Sequence, residues 1–103
     1  MKKIIDGKRY DTETATHVAN MWNGYPRNDF RFEDTDLYLT KSGNWFLAGS
    51  GGPMSRWSET IGNASTYGSG VQPSEVDDVR KMLERESRTD LLVRYFDDGI
   101  VDA

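Results

Sequence analysis

The chain has 103 residues, of which 36% are apolar and ten are glycine, and its formal net charge is −4. This length predicts a single domain over residues 1–103, with a core that depends on three Trp, five Tyr and four Phe residues. Cysteine is absent, which excludes disulfides and thiolate metal sites. Apolar runs are too short for a membrane helix or a signal peptide, so a cytoplasmic protein is expected.

The negative charge is concentrated in the second half of the chain. Residues 61–103 carry five Lys/Arg against nine Asp/Glu. A nucleic-acid-binding surface requires concentrated basic residues, so direct binding of nucleic acid is not expected. An acidic surface attracts a basic partner instead. The same charge also has an ordinary interpretation as a solubilising surface.

The N-terminal residues 1–11 predict a short hairpin or an arm. Lys2–Asp6 and Lys8–Asp11 have extended character, and Asp6-Gly7 is a strong hairpin-turn signal. A two-stranded hairpin of this length is marginally stable by itself, which keeps the arm open as an alternative.

A helix is predicted from about Asp11 to Trp22. Its apolar residues recur at the helical spacing i, i+3, i+4 and i+7, and they are Ala15, Val18, Ala19 and Trp22. Asn23-Gly24 would end this helix. His17 is the only histidine and lies off the apolar stripe, so it is expected to be exposed on the helix. One histidine without cysteine does not build an ordinary zinc site.

The centre of the sheet is predicted to be a hairpin around the turn Lys41–Asn44. Apolar residues alternate on both sides of Glu33–Thr35, but their phase changes across that tripeptide, which indicates a bulge or a break there. Trp45–Leu47 begins the partner strand. Residues 54–67 predict an extended loop with a helical turn near 55–60, and Val71-Gln72 predicts a short third strand.

The C-terminal third predicts two further helices. Ser74 is the expected N-cap of the first, whose apolar stripe includes Val79 and Leu83, and Thr89 is the expected cap of a short final helix. Residues 97–103 form an acidic tail that is expected to fray. The fold class is therefore α+β: a small antiparallel sheet of about three strands plus the N-terminal hairpin or arm, with about three helices on one face.

The glycine-rich stretch Gly49–Gly52 matches no catalytic template. A phosphate-binding P-loop requires a lysine after its last glycine, and a nucleophile elbow requires one residue between each glycine and the serine. A dinucleotide fingerprint requires a glycine where Met54 stands. Two interpretations remain, a backbone nest for an anion and a strand exit that needs positive φ angles, and the second is preferred.

Three segments resemble a family of small proteins from phages, plasmids and other mobile elements of bacteria. They are KKIIDGKRYDTETAT (2–16), DLYLTKSGNWFLAGSGGPMSRW (36–57), and a GN pair followed by a Gly/Ser stretch and a Pro-Ser helix start (62–74). Small acidic proteins of this kind resemble host-defence inhibitors, notably anti-CRISPR proteins. The resemblance implies a non-enzymatic protein of the host bacterial cytoplasm, without a cofactor or metal. It would bind a CRISPR effector stoichiometrically and block either target DNA binding or nuclease recruitment. A monomer or weak dimer is expected, with no direct contact to nucleic acid or membrane.

The expected partner-binding residues are of two kinds. Acidic side chains would steer association, and these are Asp29, Glu33, Asp34, Asp36, Glu75, Asp77 and Asp78. Trp57 and Tyr67 would anchor the complex from the glycine-rich loop. Two other functions remain open: an anti-restriction or other nucleic-acid-mimic protein, and a small nucleotide- or anion-binding module that uses Gly49–Gly52.

Overall fold

A computed structural model describes all 103 residues as an α+β chain with antiparallel sheets and two α-helices. The strands are β1 (Lys2–Ile5), β2 (Lys8–Asp11), β3 (Thr16–Trp22), β4 (Glu33–Leu39), β5 (Trp45–Gly51), β6 (Glu59–Ile61), β7 (Ala64–Thr66) and β8 (Gly68–Ser74). The helices are α1 (Val76–Arg85) and α2 (Thr89–Phe96), and a single 3₁₀ turn follows at Asp97–Gly99. By its internal contacts the chain forms two compact units, Met1–Pro73 and Ser74–Ala103.

The predicted N-terminal hairpin is confirmed. Strands β1 and β2 pair antiparallel with Ile5 opposite Lys8, which leaves Asp6 and Gly7 as a two-residue loop. Both loop residues have positive φ angles, 52° and 76°. This is the backbone that the tightest hairpin turn requires, and Asp-Gly adopts it readily.

The predicted helix over residues 11–22 is wrong, because Thr16–Trp22 forms β3 at the edge of a four-stranded sheet with the order β3-β4-β5-β8. A β-bulge between His17 and Ala19 shifts the pairing with β4 by one residue. The bulge interrupts the period-two alternation of a strand, so the apolar residues fall at spacings that imitate a helix. The expected cap Asp11 instead forms a turn, in which its Oδ1 accepts a hydrogen bond from the Glu13 amide at 2.9 Å.

The central hairpin is confirmed as β4 and β5, which pair from Leu39 opposite Trp45 to Glu33 opposite Gly51. Its turn contains Gly43 at a φ of 89°. The bulge or break expected at Glu33–Thr35 does not occur there, since the ladder runs through these residues. The change of apolar phase marks the start of β4, and the bulge lies on β3 instead.

The glycines after Trp45 have a different role from the one expected. Strand β5 continues to Gly51, and the glycines with positive φ angles are Gly7, Gly24, Gly43 and Gly62. A strand exit at Gly49 and an anion-binding nest are therefore both wrong. A Cβ atom on Gly49 would lie 2.6 Å from Nε1 of Trp57, and one on Gly70 of β8 would lie 3.3 Å from Cε3 of the same ring. These glycines make room for an indole.

Trp57 fills the space beside Gly49 and Gly70, which we call the glycine slot, and belongs to the core. Its side chain is only 7% exposed, and its Nε1 donates a hydrogen bond to Oγ1 of the buried Thr35 at 2.9 Å. The expectation that Trp57 is a loop aromatic available to a partner is corrected accordingly. The segment around it forms turns and then the β6–β7 hairpin, where an extended loop with a helical turn was predicted.

The expected third strand near Val71 is present as β8, which extends from Gly68 to Ser74 and pairs with β5. On one face of the sheet, a buried cluster joins the N-terminal hairpin to β5 and β8 through Tyr10, Phe46, Ala48 and Val71. The rings of Tyr38 and Phe46 stack at 5.1 Å. This cluster holds the hairpin beside the polar part of the same face.

The unit Ser74–Ala103 contains both α-helices of the chain. The sequence analysis predicted three helices, and these two correspond to the second and third. In α1, Val79, Met82 and Leu83 are buried. Glu75 is the N-cap where Ser74 was expected, because Ser74 is still the last residue of β8. Thr89 is the first residue of α2 and Arg88 is its N-cap. Neither helix has the length and apolar character needed to cross a membrane.

Candidate functional site

Two of the predicted acidic residues lie side by side on one face of the four-stranded sheet. Asp34 and Asp36 alternate along β4, so both side chains project from the same face. Asn20 of β3 is directly opposite Asp36. Its Nδ2 donates to Oδ1 of Asp34 at 2.7 Å and to Oδ1 of Asp36 at 3.0 Å. We refer to Asp34 and Asp36 as the acidic pair.

His17 is the second neighbour of the acidic pair. Its Nε2 lies 2.8 Å from Oδ1 of Asp36, and its side chain is 50% exposed. The imidazole also contacts the ring of Tyr38 edge-on, at a centroid distance of 5.3 Å. Burial raises the pKa of the Tyr38 phenol, and the negative charge of Asp36 raises it further. The predicted helical position of His17 was wrong, and its exposure is confirmed.

An open cleft of about 290 Å³ lies over the acidic pair. Its lining residues are Met1, Thr12, Arg27, Asp34, Asp36, Tyr38, Ala48, Gly49 and Ser50. Ser50 is opposite Asp34 in the ladder, but β4 separates it from His17 on β3. The arrangement therefore presents carboxylate acceptors rather than a serine activated by an adjacent imidazole. No set of three or more His, Asp and Glu side chains is placed to hold a metal ion.

Two other predicted acidic residues are held by arginines. Oδ2 of Asp29 lies 2.9 Å from Nη2 of Arg31, and Oδ1 of Asp29 accepts from Nε of the same guanidinium at 3.0 Å. Glu33 accepts a hydrogen bond from the backbone amide of Arg56 at 3.0 Å and pairs with its Nε at 3.5 Å. Since each carboxylate has a cationic partner, Asp29 and Glu33 add less negative potential than their number implies.

Tyr67 is exposed, as its predicted role requires, and it lies close to Asp29. Its hydroxyl donates to the backbone oxygen of Asp29 at 3.4 Å, and 42% of the residue is exposed. Phe30 and Met54 are also exposed and are joined by a hydrogen bond from the Met54 amide to the Phe30 oxygen at 2.9 Å. We call Phe30, Met54 and Tyr67 the apolar patch. The sequence interpretation did not include Phe30 and Met54.

The remaining predicted residues belong to the unit Ser74–Ala103. Glu75, Asp77 and Asp78 are exposed at the start of α1. Oδ1 of Asp77 lies 3.6 Å from Nη2 of Arg80. Their position in and before the first turn is the one that favours negative charge at a helix N-terminus, so a role in helix stability accounts for them.

The pKa of Asp29 provides a pH-dependent prediction. Hydrogen bonds from the Arg31 side chain, and then from its backbone amide, lower the pKa of this carboxyl from 3.8 to about 2. Because the folded-state pKa is depressed, the Arg31 contact stabilises the loop fully above the ordinary pKa and is lost as the pH falls through about 2. Arg31→Gln is expected to raise the titration midpoint of the Asp29 Cγ resonance in carbon-detected NMR. Arg27→Gln removes the same charge without removing a bond to Asp29 and should leave that midpoint in place; equal shifts in both variants would contradict the assignment.

Comparison with known proteins found no match to a family model, to a curated protein or to a solved structure.

Proposed function

We propose that this chain is a non-enzymatic inhibitor of a bacterial defence system, specifically an anti-CRISPR protein that binds a positively charged surface of a CRISPR effector. The observation that carries the proposal is the acidic pair. Asp34 and Asp36 stand together on one sheet face, and the side chains that hold them are a neutral amide and an imidazole rather than a lysine or arginine. Neither carboxylate forms an ion pair with a lysine or arginine, although Arg27 and Met1 line the same cleft and His17 lies within ion-pair distance of Asp36. The pair therefore offers negative charge to a basic partner, and this partner would compete with the cations at the cleft.

The partner class follows from electrostatics. CRISPR effectors hold guide and target nucleic acids in positively charged channels. Because one Asn20 nitrogen bonds Oδ1 of both Asp34 and Asp36, the two carboxylates lie closer together than the roughly 7 Å between alternate Cα atoms of a strand. They form a local concentration of negative charge, as the phosphates of a nucleic-acid backbone do. A small acidic protein with this face is suited to occupy a channel that otherwise holds nucleic acid. The expectation drawn from the three sequence segments names the same target, and comparison with known proteins found no match that bears on it.

The apolar patch is the proposed anchor of the complex. Aromatic residues and methionine are enriched at protein–protein interfaces, and a few such residues contribute most of the binding free energy. Phe30 is 64% exposed and Met54 is 71% exposed. Together with Tyr67 they offer apolar area that charge steering alone does not provide. Trp57 is not part of this surface, because its side chain is buried in the core.

The deciding experiment measures phage plating on bacterial hosts with one active CRISPR type each, with and without expression of the chain. Restored plating on hosts of one type is the expected result. An isogenic host without CRISPR provides the control, because the protein should not change plating there. Unchanged plating on every CRISPR-active host that contains the folded protein would contradict the proposal.

Plating on a host with an active restriction system distinguishes the proposed function from the main alternative, an anti-restriction protein. An anti-restriction protein would use the same acidic surface to occupy the DNA-binding site of a restriction enzyme. Restored plating on the restriction-active host alone would replace the CRISPR assignment with that alternative. Restoration on a CRISPR-active host alone would support the proposal.

A further inference from the structure

Asn23 is the only asparagine in the chain that is followed by glycine. In an Asn-Gly pair, the backbone nitrogen of the glycine can attack the side-chain amide carbon, because glycine has no side chain to obstruct the approach. Asn23 and Gly24 are both exposed, and no atom lies within 4 Å of the position that a Cβ of Gly24 would take. Water and solvent base therefore reach both reacting groups.

The hydrogen bonds around Asn23 polarise the group under attack and leave the nucleophile free. Oδ1 of Asn23 accepts from the backbone amides of Glu33 at 3.1 Å and of Tyr25 at 3.3 Å. Two backbone N–H donors on a carbonyl oxygen stabilise the negative charge that develops there during attack on its carbon. The amide of Gly24 donates no hydrogen bond, so no bond has to break before this nitrogen reacts.

The same side chain closes the connection between β3 and β4. Besides the two bonds to Oδ1, its Nδ2 donates to the backbone oxygen of Arg31 at 2.6 Å. We call these three side-chain bonds the Asn23 clasp. The clasp ties residue 23 to both ends of the segment 24–32, which carries Phe30 of the apolar patch.

We infer that Asn23-Gly24 is a modification site at which the folded chain deamidates spontaneously, and that this reaction opens the clasp. The Gly24 nitrogen loses its proton to solvent base and forms a bond to Cγ of Asn23. The bond between Cγ and Nδ2 then breaks, Nδ2 takes up a proton from water and leaves as ammonia, and a cyclic imide remains. Water hydrolyses either carbonyl of this ring and yields aspartate or isoaspartate. The only co-reactant is water.

Either product loses the donor that closes the clasp. A carboxylate has no hydrogen to donate, so an oxygen would face the backbone oxygen of Arg31 where Nδ2 now lies at 2.6 Å. Two acceptors in that position repel each other. Isoaspartate in addition routes the main chain through Cβ and lengthens it. The segment 24–32 is therefore expected to separate from the end of β3, an outcome that does not depend on the proposed function.

The first test follows the native chain in neutral buffer made with isotope-labelled water, by peptide mapping and mass spectrometry. The urea-unfolded chain is the reference, because its Asn-Gly pair reacts without help from the fold. Since the unfolded fraction of a folded protein is roughly one in a thousand or less, a rate at residue 23 within about a hundredfold of the reference must come from the folded state. This rate is the expected result. A slower rate would overturn the inference, as would earlier labelling of Asn20, Asn28, Asn44 or Asn63.

The second test measures the opening of the clasp by amide hydrogen exchange. Asn23→Asp reproduces one product, and it is expected to accelerate exchange at the Tyr25 and Glu33 amides several-fold, because both donate to residue 23. Asn28→Asp is the matched control, since it adds the same charge in the same segment without touching the clasp. Unchanged exchange in Asn23→Asp, or equal acceleration in both variants, would overturn the predicted opening. The deamidated native chain, separated by ion exchange, gives the same measurement without a substitution.

Discussion

Trp57→Ala is expected to lower the free energy of unfolding by about 3–5 kcal/mol, which is a large part of the stability of a small domain. The indole is 7% exposed and lies against the glycines of two neighbouring strands, Gly49 and Gly70. Its removal leaves a cavity that cannot be filled from these positions, because glycine has no side chain to move into it. The loss also leaves the buried hydroxyl of Thr35 without its donor.

Urea unfolding followed by far-ultraviolet circular dichroism measures this loss without depending on tryptophan fluorescence. Trp22→Ala is the matched control, since Trp22 is 56% exposed and its Nε1 donates only to the backbone oxygen of Tyr25. The control should lose about 1 kcal/mol. Similar losses in the two variants would show that the glycine slot does not contribute as described.

The contrast between Trp57 and Tyr67 illustrates a limit of the sequence. Both are aromatic residues in a stretch rich in glycine and serine, and both were expected to be exposed anchors. Trp57 is buried because the strand before it and the strand after it, β5 and β8, each place a glycine against its ring. That arrangement depends on the pairing of β5 with β8. This pairing cannot be predicted from the residues around Trp57 alone.

The β1–β2 and β4–β5 hairpins were predicted because their turn signals are local, whereas the β6–β7 hairpin was missed. Asp6-Gly7 and Lys41–Asn44 specify turns by their own chemistry, and the strands on either side follow from the turn. Strand β3 is different, since its partner β4 lies beyond a long connection. The bulge in β3 interrupts the alternation of apolar and polar residues by which a strand is recognised in a sequence. The apolar residues therefore have helical spacing, but pairing with β4 determines the structure.

The acidic residues were predicted as one surface, but their environments divide them. Asp29 and Glu33 are paired with arginines, whereas Asp34 and Asp36 are held by Asn20 and approached by His17. Charge counting cannot make this distinction, because it ignores which residues face one another across strands. The contact of Asn20 with the acidic pair follows from the register of β3 against β4. The sequence analysis predicted a helix in place of β3, so it could not identify this contact.

The chain with Asp34→Lys and Asp36→Lys together is expected to lose its inhibition of CRISPR immunity while remaining folded. Both side chains lie on the solvent-facing cleft, and neither is among the buried residues of the core. Reversal therefore changes the sign of the face without removing packing. Repulsion from a positively charged channel should slow association, and the remaining association should no longer weaken with added salt.

Asp97→Lys combined with Asp98→Lys is the matched control, because it changes the net charge by the same amount at a different location. Both residues lie in the 3₁₀ turn after α2 and are exposed. If location determines inhibition, this control retains it, and plating on the CRISPR-active host distinguishes the two double variants directly. Equal loss in both would mean that net charge alone matters, and full inhibition by the Asp34/Asp36 variant would remove the acidic pair from the mechanism. The control thus separates a specific acidic face from general acidity, which the sequence left as alternatives.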